Sequence, residues 1–195
     1  ALECSEEALS LAERTDDPLL VAMGHWYQGF IMFSLGDYAQ AHDHLGKVLA
    51  FYRPEEHHAT LVALRGSDAG PSAMAYDASC LWCLGYPDQA RERSREAVAL
   101  ARQLGHAYTL VDVITYGACL PAEMRRDAAS LMQHADELLQ LSRAAGFPAA
   151  WRDTGTLYRG AALTMMGQIE EGAQELRAGM RARAARGEQL YAAGF

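Results

Sequence analysis

A glycine that recurs at a fixed interval is the feature that most constrains how this chain folds. Gly105, Gly146 and Gly187 lie 41 residues apart, and each follows a long amphipathic stretch that carries arginine. Such a period is typical of proteins built from stacked copies of one small unit. Apolar residues recur at three- and four-residue steps within each copy, and Gly, Pro or Asp marks the ends. Each unit is therefore predicted to be a pair of helices.

A second position repeats with the same interval. Gly85 and Gly167 are two periods apart, and Arg126 occupies the position between them, where the pattern departs from glycine. An upstream copy is visible as well, since LGDYAQA at 35–41 matches LGYPDQA at 84–90 at an offset of 49. The eight extra residues indicate an insertion between these two copies.

These repeats predict an all-α fold. The expected arrangement is a right-handed superhelical solenoid of antiparallel helix pairs, in which residues 1–195 form one repeat domain cut from a longer chain. Residues 2–15 are predicted to be the second helix of an incomplete repeat, and 188–195 to begin the next one. Pro121 should kink or shorten its helix, because it removes a backbone donor. The first helices are predicted near 19–35, 71–84, 107–124 and 149–166, and the second helices near 38–52, 88–104, 127–145 and 169–186.

Small residues recur where neighbouring helices are expected to cross. Antiparallel helices approach closely only where the side chains between them are short. The phase of these small residues is similar to that of tetratricopeptide repeats, and GDYAQA at 36–41 most resembles the turn of that family. The period of 41 differs from the 34 residues typical of the family. The small residues are Gly29, Ala78 and Gly160 in the first helices, and Ala41, Ala90 and Gly172 in the second helices.

A closer resemblance covers nearly the whole chain. The phrases LGYPDQA at 84–90, SREA at 94–97, YRGAAL at 158–163 and GQIEEG at 167–172 are similar to the C-terminal repeat region of bacterial multidomain signalling ATPases. In that family the ATPase module is linked to adenylate or guanylate cyclase domains, or to DNA-binding regulator domains. The resemblance implies a sensor or docking scaffold that regulates the linked domains and has no catalytic role itself.

Composition and charge exclude several classes of partner. The chain has 17 Lys and Arg against 25 Asp and Glu, so its formal net charge is −8 and no basic stripe is expected to bind nucleic acid or an anionic membrane surface. The uncharged segment 18–36 contains polar residues such as His25 and Gln28, which favour a buried helix over a membrane span. Four cysteines are too few for a disulfide scaffold and favour a cytoplasmic location.

The residues that carry chemistry elsewhere do not combine here into a known catalytic or metal site. The chain has neither a glycine-rich phosphate loop nor a Gly-x-Ser-x-Gly nucleophile motif, so no enzyme activity and no cofactor are expected. Cys80 and Cys83 form a C-x-x-C pair inside a predicted helix, where packing is the expected role. His57 and His58 are predicted to lie in a solvated loop rather than to bind metal.

Two surfaces are candidates for binding. Repeat scaffolds usually bind through the concave side, which the first helices line. The insertion, placed at 54–71, is the second candidate through His57, Arg65 and Asp68, because inserted loops often lie on a binding face. The residues predicted to face a concave groove are Trp26, Phe30, Phe33, Ser79, Trp82, Tyr116, Leu120, Leu157 and Thr164.

The sequence leaves the role of these surfaces open. We expect a non-catalytic module that recognises a protein, a peptide or a ligand, and the partners are expected to include other domains of its own parent chain. The alternatives are self-association into a homodimer and small-molecule binding beside the insertion. An aromatic stripe at helical spacing is also typical of a helix core. Alternatively, the insertion is a half-turn helix and a linker that only change the direction of the next helix pair.

Overall fold

The computed structural model describes residues 2–144 and 146–187, and within these ranges the chain is helical apart from short connections. No strand occurs in the described ranges, in agreement with the all-α prediction. The predicted start of a further repeat at 188–195 lies outside the described residues. The helices are α1 (Leu2–Glu13), α2 (Pro18–Leu35), α3 (Tyr38–Phe51), α4 (Pro54–Arg65), α5 (Ala69–Cys83), α6 (Pro87–Leu104), α7 (Ala107–Val113), a π-helical stretch (Ile114–Cys119), α8 (Leu120–Met124), α9 (Ala128–Ala144), α10 (Ala149–Met165) and α11 (Ile169–Ala185).

The predicted helix ends lie within two residues of those in the structure, because residues typical of helix ends mark them in the sequence. At the start of α2, the Asp17 carboxylate accepts the Leu19 N–H at 2.9 Å, and Pro18 occupies the first helical position. The same helix ends at Gly36, whose φ of 82° is left-handed. No described helix, α2 included, has both the length and the apolar character needed to cross a membrane.

The insertion forms a full helix rather than a loop. Helix α4 spans 12 residues from Pro54 to Arg65 and is capped by Gly66, whose φ of 80° is left-handed. The prediction of a solvated loop at 57–58 is therefore wrong, and so is the alternative of a half-turn helix. Helix α5 begins at Ala69, two residues before its predicted start, so the last part of the predicted insertion belongs to that helix.

Arg126 shows that the repeat persists where its glycine is replaced. Its φ of 56° lies in the same left-handed region as the φ angles of Gly85 (89°) and Gly167 (86°). The Asp127 N–H then donates to the Ala122 carbonyl at 2.9 Å, which satisfies an acceptor at the end of α8. The 41-residue interval therefore marks one recurring backbone turn, which arginine adopts at a modest conformational cost.

Pro121 perturbs its helix as predicted, since the π-helical stretch separates α7 from α8 just before it. Proline has no N–H to donate to the carbonyl four or five residues earlier. Those two carbonyls belong to Gly117 and Tyr116. The Ser94 hydroxyl donates to the Gly117 carbonyl, and the Ser79 hydroxyl donates to the Tyr116 carbonyl at 3.3 Å. Serine side chains thus supply donors where the backbone lacks one.

The described helices group into two compact units, divided between Gly117 and Ala118, whereas the sequence predicts one repeat domain. In the first unit the helices pack in chain order: α1 on α2, α2 on α3, α3 on α5, α5 on α6 and α6 on α7. Helix α4 packs on α5. The core lies chiefly among α2, α3 and α5. Its largest side chains are Met23, Trp26, Met32, Leu45, Tyr52, Leu61 and Tyr76.

In the second unit, α9 packs on α10 and α10 on α11, and the last two helices approach very closely. A Cβ placed on Gly172 would lie 2.7 Å from the Gly160 carbonyl oxygen. A Cβ on Gly179 would lie 2.8 Å from Cγ of Leu157. The structure therefore confirms the close helix crossing that the small residues at 160 and 172 predict.

Adding one methyl group at this crossing is expected to destabilise the protein. Gly172→Ala should lower the free energy of unfolding by about 1–3 kcal/mol, because the new Cβ overlaps backbone that cannot move freely. Gly46→Ala is the matched control, since Gly46 is an exposed residue within α3 and no atom lies within 4 Å of the added Cβ. That variant should gain up to about 1 kcal/mol from the helix propensity of alanine. Denaturant unfolding followed by circular dichroism measures both changes, and equal effects would contradict the packing account.

Candidate functional site

Five aromatic side chains, which we call the aromatic cluster, meet in the first unit: Trp26, Phe30, Phe33, Tyr76 and Tyr116. The first three recur at helical spacing along one face of α2. Trp26 stacks on Phe30 with ring centroids 5.6 Å apart, and Tyr76 from α5 lies 5.2 Å from Phe33. Tyr116 stacks on Tyr76 at 4.6 Å. The structure thus brings together four residues that the sequence predicts for the groove and adds Tyr76.

The aromatic cluster has an inner and an outer part. Trp26 and Tyr76 are buried, whereas Phe30, Phe33 and Tyr116 are half-buried and form its outer part. The outer part continues into Tyr27, which is 44% exposed and lies edge-on to Trp26 at 5.2 Å. An apolar surface therefore extends from the core of the first unit to its exterior.

Arg65 connects the insertion helix to the aromatic cluster. Its guanidinium carbon lies 3.5 Å from the centroid of the Trp26 ring, which is the geometry of a cation–π interaction. The same guanidinium donates to the Ser67 hydroxyl at 2.5 Å. It also lies 3.9 Å from the Asp112 carboxylate, which accepts the Ser72 hydroxyl and whose pKa is raised by burial. Arg65, predicted for the insertion site, is therefore part of one polar and aromatic network with Trp26.

Asp68 lies in the interior rather than on a binding loop. It is fully buried, and its carboxylate accepts hydrogen bonds from the Tyr52 hydroxyl at 2.7 Å and from Nδ1 of His58 at 2.6 Å. Its other oxygen accepts the Gly70 N–H at 2.9 Å and so caps α5. Burial, together with the hydrogen bond to Asp68, raises the pKa of Tyr52. Both carboxylate oxygens are used internally, so the structure assigns Asp68 a structural role in place of the predicted ligand contact.

A second set of hydrogen bonds continues from Asp68 to α7. The Asp68 N–H donates to the Thr109 hydroxyl oxygen at 2.8 Å. That hydroxyl lies 2.8 Å from Nδ1 of His106, and the Thr109 N–H donates to the same nitrogen at 3.3 Å. Nδ1 is therefore an acceptor, which places the proton of a neutral His106 on Nε2. Burial lowers the pKa of His106, in agreement with the neutral form.

The remaining predicted residues occupy different surroundings. Ser79 is fully buried, and Leu157 packs against Gly179 in the core of the second unit, so neither side chain lines an open groove. The sequence predicts them for a groove because it assumes that one face of each first helix is open. In the structure, α5 and α10 are covered by helices on more than one side. Three further groove residues are half-buried: Trp82 near the end of α5, and Leu120 and Thr164 in the second unit.

His57 has a local structural role at the start of α4. Its Nδ1 accepts the Arg53 N–H at 2.9 Å, and its ring stacks on Phe51 with centroids 4.4 Å apart. The side chain thus satisfies a backbone donor just before the first turn of the helix. These contacts place His57 against the end of α3 instead of in an open ligand site.

The two cysteines of the C-x-x-C pair differ in their surroundings. Cys80 is buried, and burial raises the pKa of its thiol; Cys83 is exposed at the end of α5. In the part of the chain that the structure describes, no three His, Cys, Asp or Glu side chains converge in a way that could hold a metal ion.

Sequence reasoning missed a buried ion-pair network around Asp77. This residue is 1% exposed in the middle of α5, and its carboxylate lies 2.5 Å from Nδ1 of His42 and 2.9 Å from Nη1 of Arg93. The contacts join α3, α5 and α6. In the sequence, Asp77 is the single carboxylate of a helix whose other residues are mostly apolar or small. Such a pattern predicts a buried charge that has a partner.

Comparisons with known proteins give no functional assignment, so any assignment depends on the geometry of the site. No protein-family model matches the chain, and no curated protein matches it significantly. The resemblance to the repeat region of signalling ATPases stays a prediction.

Removal of the Asp68 carboxylate is expected to destabilise the first unit. Asp68→Ala should lower the free energy of unfolding by at least about 2 kcal/mol, because it leaves several buried donors without an acceptor. Tyr52→Phe removes one of those donors, so the double variant should lose less stability than the sum of the two single variants. The control is Asp43→Ala, which removes only an exposed ion pair with Lys47 and should cost less than about 1 kcal/mol. Denaturant titrations measure all four variants, and strict additivity would contradict the network.

Proposed function

We propose that this chain is a non-catalytic recognition module that binds an apolar segment of a protein partner through the outer part of the aromatic cluster. In this proposal the helix pairs are tetratricopeptide-like and stack into a right-handed superhelical solenoid. The observation that supports it most is the exposed apolar surface of α2. That helix has no charged residue over its 18 positions, although Leu20, Tyr27 and Leu35 are at least 40% exposed.

The chemistry of this surface favours a protein or peptide over a polar ligand. Contiguous exposed apolar surface on a soluble domain is typical of interaction sites. Aromatic side chains that are already packed lose little conformational freedom on binding, which makes them effective anchors for a partner. Phe30 is held by Trp26, which stacks on it, and the Trp26 ring is in turn covered by Arg65. A helical segment with apolar residues on one face is the partner that fits such a surface.

The family resemblance adds the expected consequence of binding. In signalling ATPases of this kind, the partner would include other domains of the parent chain, and binding would regulate the linked ATPase, cyclase or effector domains. A partner that binds one arrangement of helix pairs more tightly than another shifts the population toward it. Self-association into a homodimer is the competing use of the same apolar surface.

The proposal predicts which substitutions abolish binding. A displayed library of amphipathic helical peptides, selected against the whole chain, should yield peptides with aromatic or aliphatic residues on one face. Tyr27→Ala and Phe30→Ala should each weaken binding of the selected peptides at least about tenfold, because each removes aromatic contact area from the proposed binding surface.

Ile169→Ala is the matched control, since Ile169 is 57% exposed on α11 of the second unit, whereas the aromatic cluster belongs to the first unit. Affinity is measured by fluorescence anisotropy after circular dichroism has shown that each variant is folded. No selected peptide, or equal affinity for all variants, would contradict the proposal. A peptide-free dimer that Tyr27→Ala disrupts in sedimentation velocity would instead support self-association.

A further inference from the structure

A polar cleft lies in the second unit among α9, α10 and α11. Its volume is about 620 Å³, within the usual range of small-molecule sites. Asp136 and Arg143 of α9, Arg159 of α10 and Glu175 of α11 supply its charged lining. None of these side chains takes part in the proposed recognition surface, which belongs to the first unit.

Arg159 holds the carboxylates of the cleft in place. Its Nε lies 3.3 Å from Oδ1 of Asp136, its Nη1 donates to Oε1 of Glu175, and its Nη2 lies 4.0 Å from Oε1 of Glu171. One guanidinium thus lies within 4.0 Å of three carboxylates, one on α9 and two on α11. Each carboxylate oxygen can accept more than one hydrogen bond, so Asp136 and Glu175 retain acceptor capacity beyond these contacts.

One carboxylate oxygen and one guanidinium of this cleft have no partner among the described residues. Oε2 of Glu175 is buried and accepts no hydrogen bond from any described residue. Arg143 is exposed on the last turn of α9 and forms no ion pair within the described part of the chain. A buried carboxylate oxygen without a donor is unusual and calls for a partner outside the chain.

We infer that the cleft binds a zwitterionic amino-carboxylate, the class that includes free amino acids and short peptides. The ammonium group of the ligand would donate to Oε2 of Glu175 and to the Asp136 carboxylate. The ligand carboxylate would pair with Arg143, whose guanidinium can donate two parallel hydrogen bonds. Leu139 and Ala178, which also line the cleft, would contact the aliphatic part of the ligand.

Calorimetric titration of the whole chain with L-alanyl-L-alanine and two blocked derivatives tests this inference. The N-acetylated dipeptide lacks the ammonium group, and the C-terminal amide lacks the carboxylate. The free dipeptide should bind, and each blocked derivative should bind about tenfold more weakly, because each loses one charged hydrogen-bonding group.

Variants then assign each ligand charge to its residue. Arg143→Ala should remove the difference between the free dipeptide and its amide, and Glu175→Gln should reduce the difference between the free and the acetylated dipeptide. Arg177→Ala and Glu170→Gln are matched controls, since both residues are exposed on α11 and neither lines the cleft. The controls should retain both differences.

Two results would overturn the inference. The first is that the native chain does not bind the free dipeptide, and the second is that Arg143→Ala and Glu175→Gln distinguish free from blocked dipeptides as strongly as the native chain does. Glu175 is partly buried and bonded to Arg159, so its variant is first compared with the native chain by thermal unfolding. If Glu175→Gln does not fold, the test depends on Arg143→Ala alone. In that case, an unchanged difference in affinity between the free dipeptide and its C-terminal amide would contradict the inference.

Discussion

The close approach of antiparallel helices is the constraint on which the rest of this structure depends. Two helices can pack backbone to backbone only where a side chain is missing, and the chain supplies small residues where its helices cross. The clearest case is the pair α10 and α11, where Gly160 and Gly172 leave no room for a Cβ. In the first unit Gly29 has the same role, since a Cβ there would lie 2.8 Å from Cγ of Leu45. Hydrophobic burial then follows from helices held at this short distance.

Buried acidic side chains add specificity to this packing. Asp68 and Asp77 are almost inaccessible, and each contacts polar side chains of other helices. Because Asp68 accepts a hydrogen bond from His58, the insertion helix α4 is fixed against the start of α5. Arg65, at the end of α4, therefore lies over Trp26, and the insertion and the aromatic cluster become one structural unit. Such polar contacts stabilise one arrangement chiefly because any other would leave a buried charge unpaired.

The features that the sequence predicts depend on residues close together in the chain. Glycine, proline and aspartate mark the helix ends, so the sequence predicts the helix boundaries. The 41-residue interval also predicts the left-handed turn at Arg126, where the repeat has no glycine. The helical spacing of Trp26, Phe30 and Phe33 predicts that they share one face of α2, and their contacts with each other and with Tyr76 agree with this. Helix α4 was missed because its histidines and the following glycines are typical of loops. Asp68 was misassigned for a related reason: an aspartate among Gly and Ser normally caps a helix at the surface, and only tertiary contacts reveal that it is buried.

We propose that the chain recognises an apolar partner through the outer part of the aromatic cluster. Its three tryptophans are natural reporters, because Trp26 lies in the cluster, Trp82 lies near the end of α5 and Trp151 belongs to the second unit. Fluorine NMR of the 5-fluorotryptophan-labelled chain during titration with a selected helical peptide tests the claim most directly. The account predicts a saturable shift of the Trp26 resonance while that of Trp151 stays unchanged. A saturable shift confined to Trp151 would place recognition in the second unit and contradict the account.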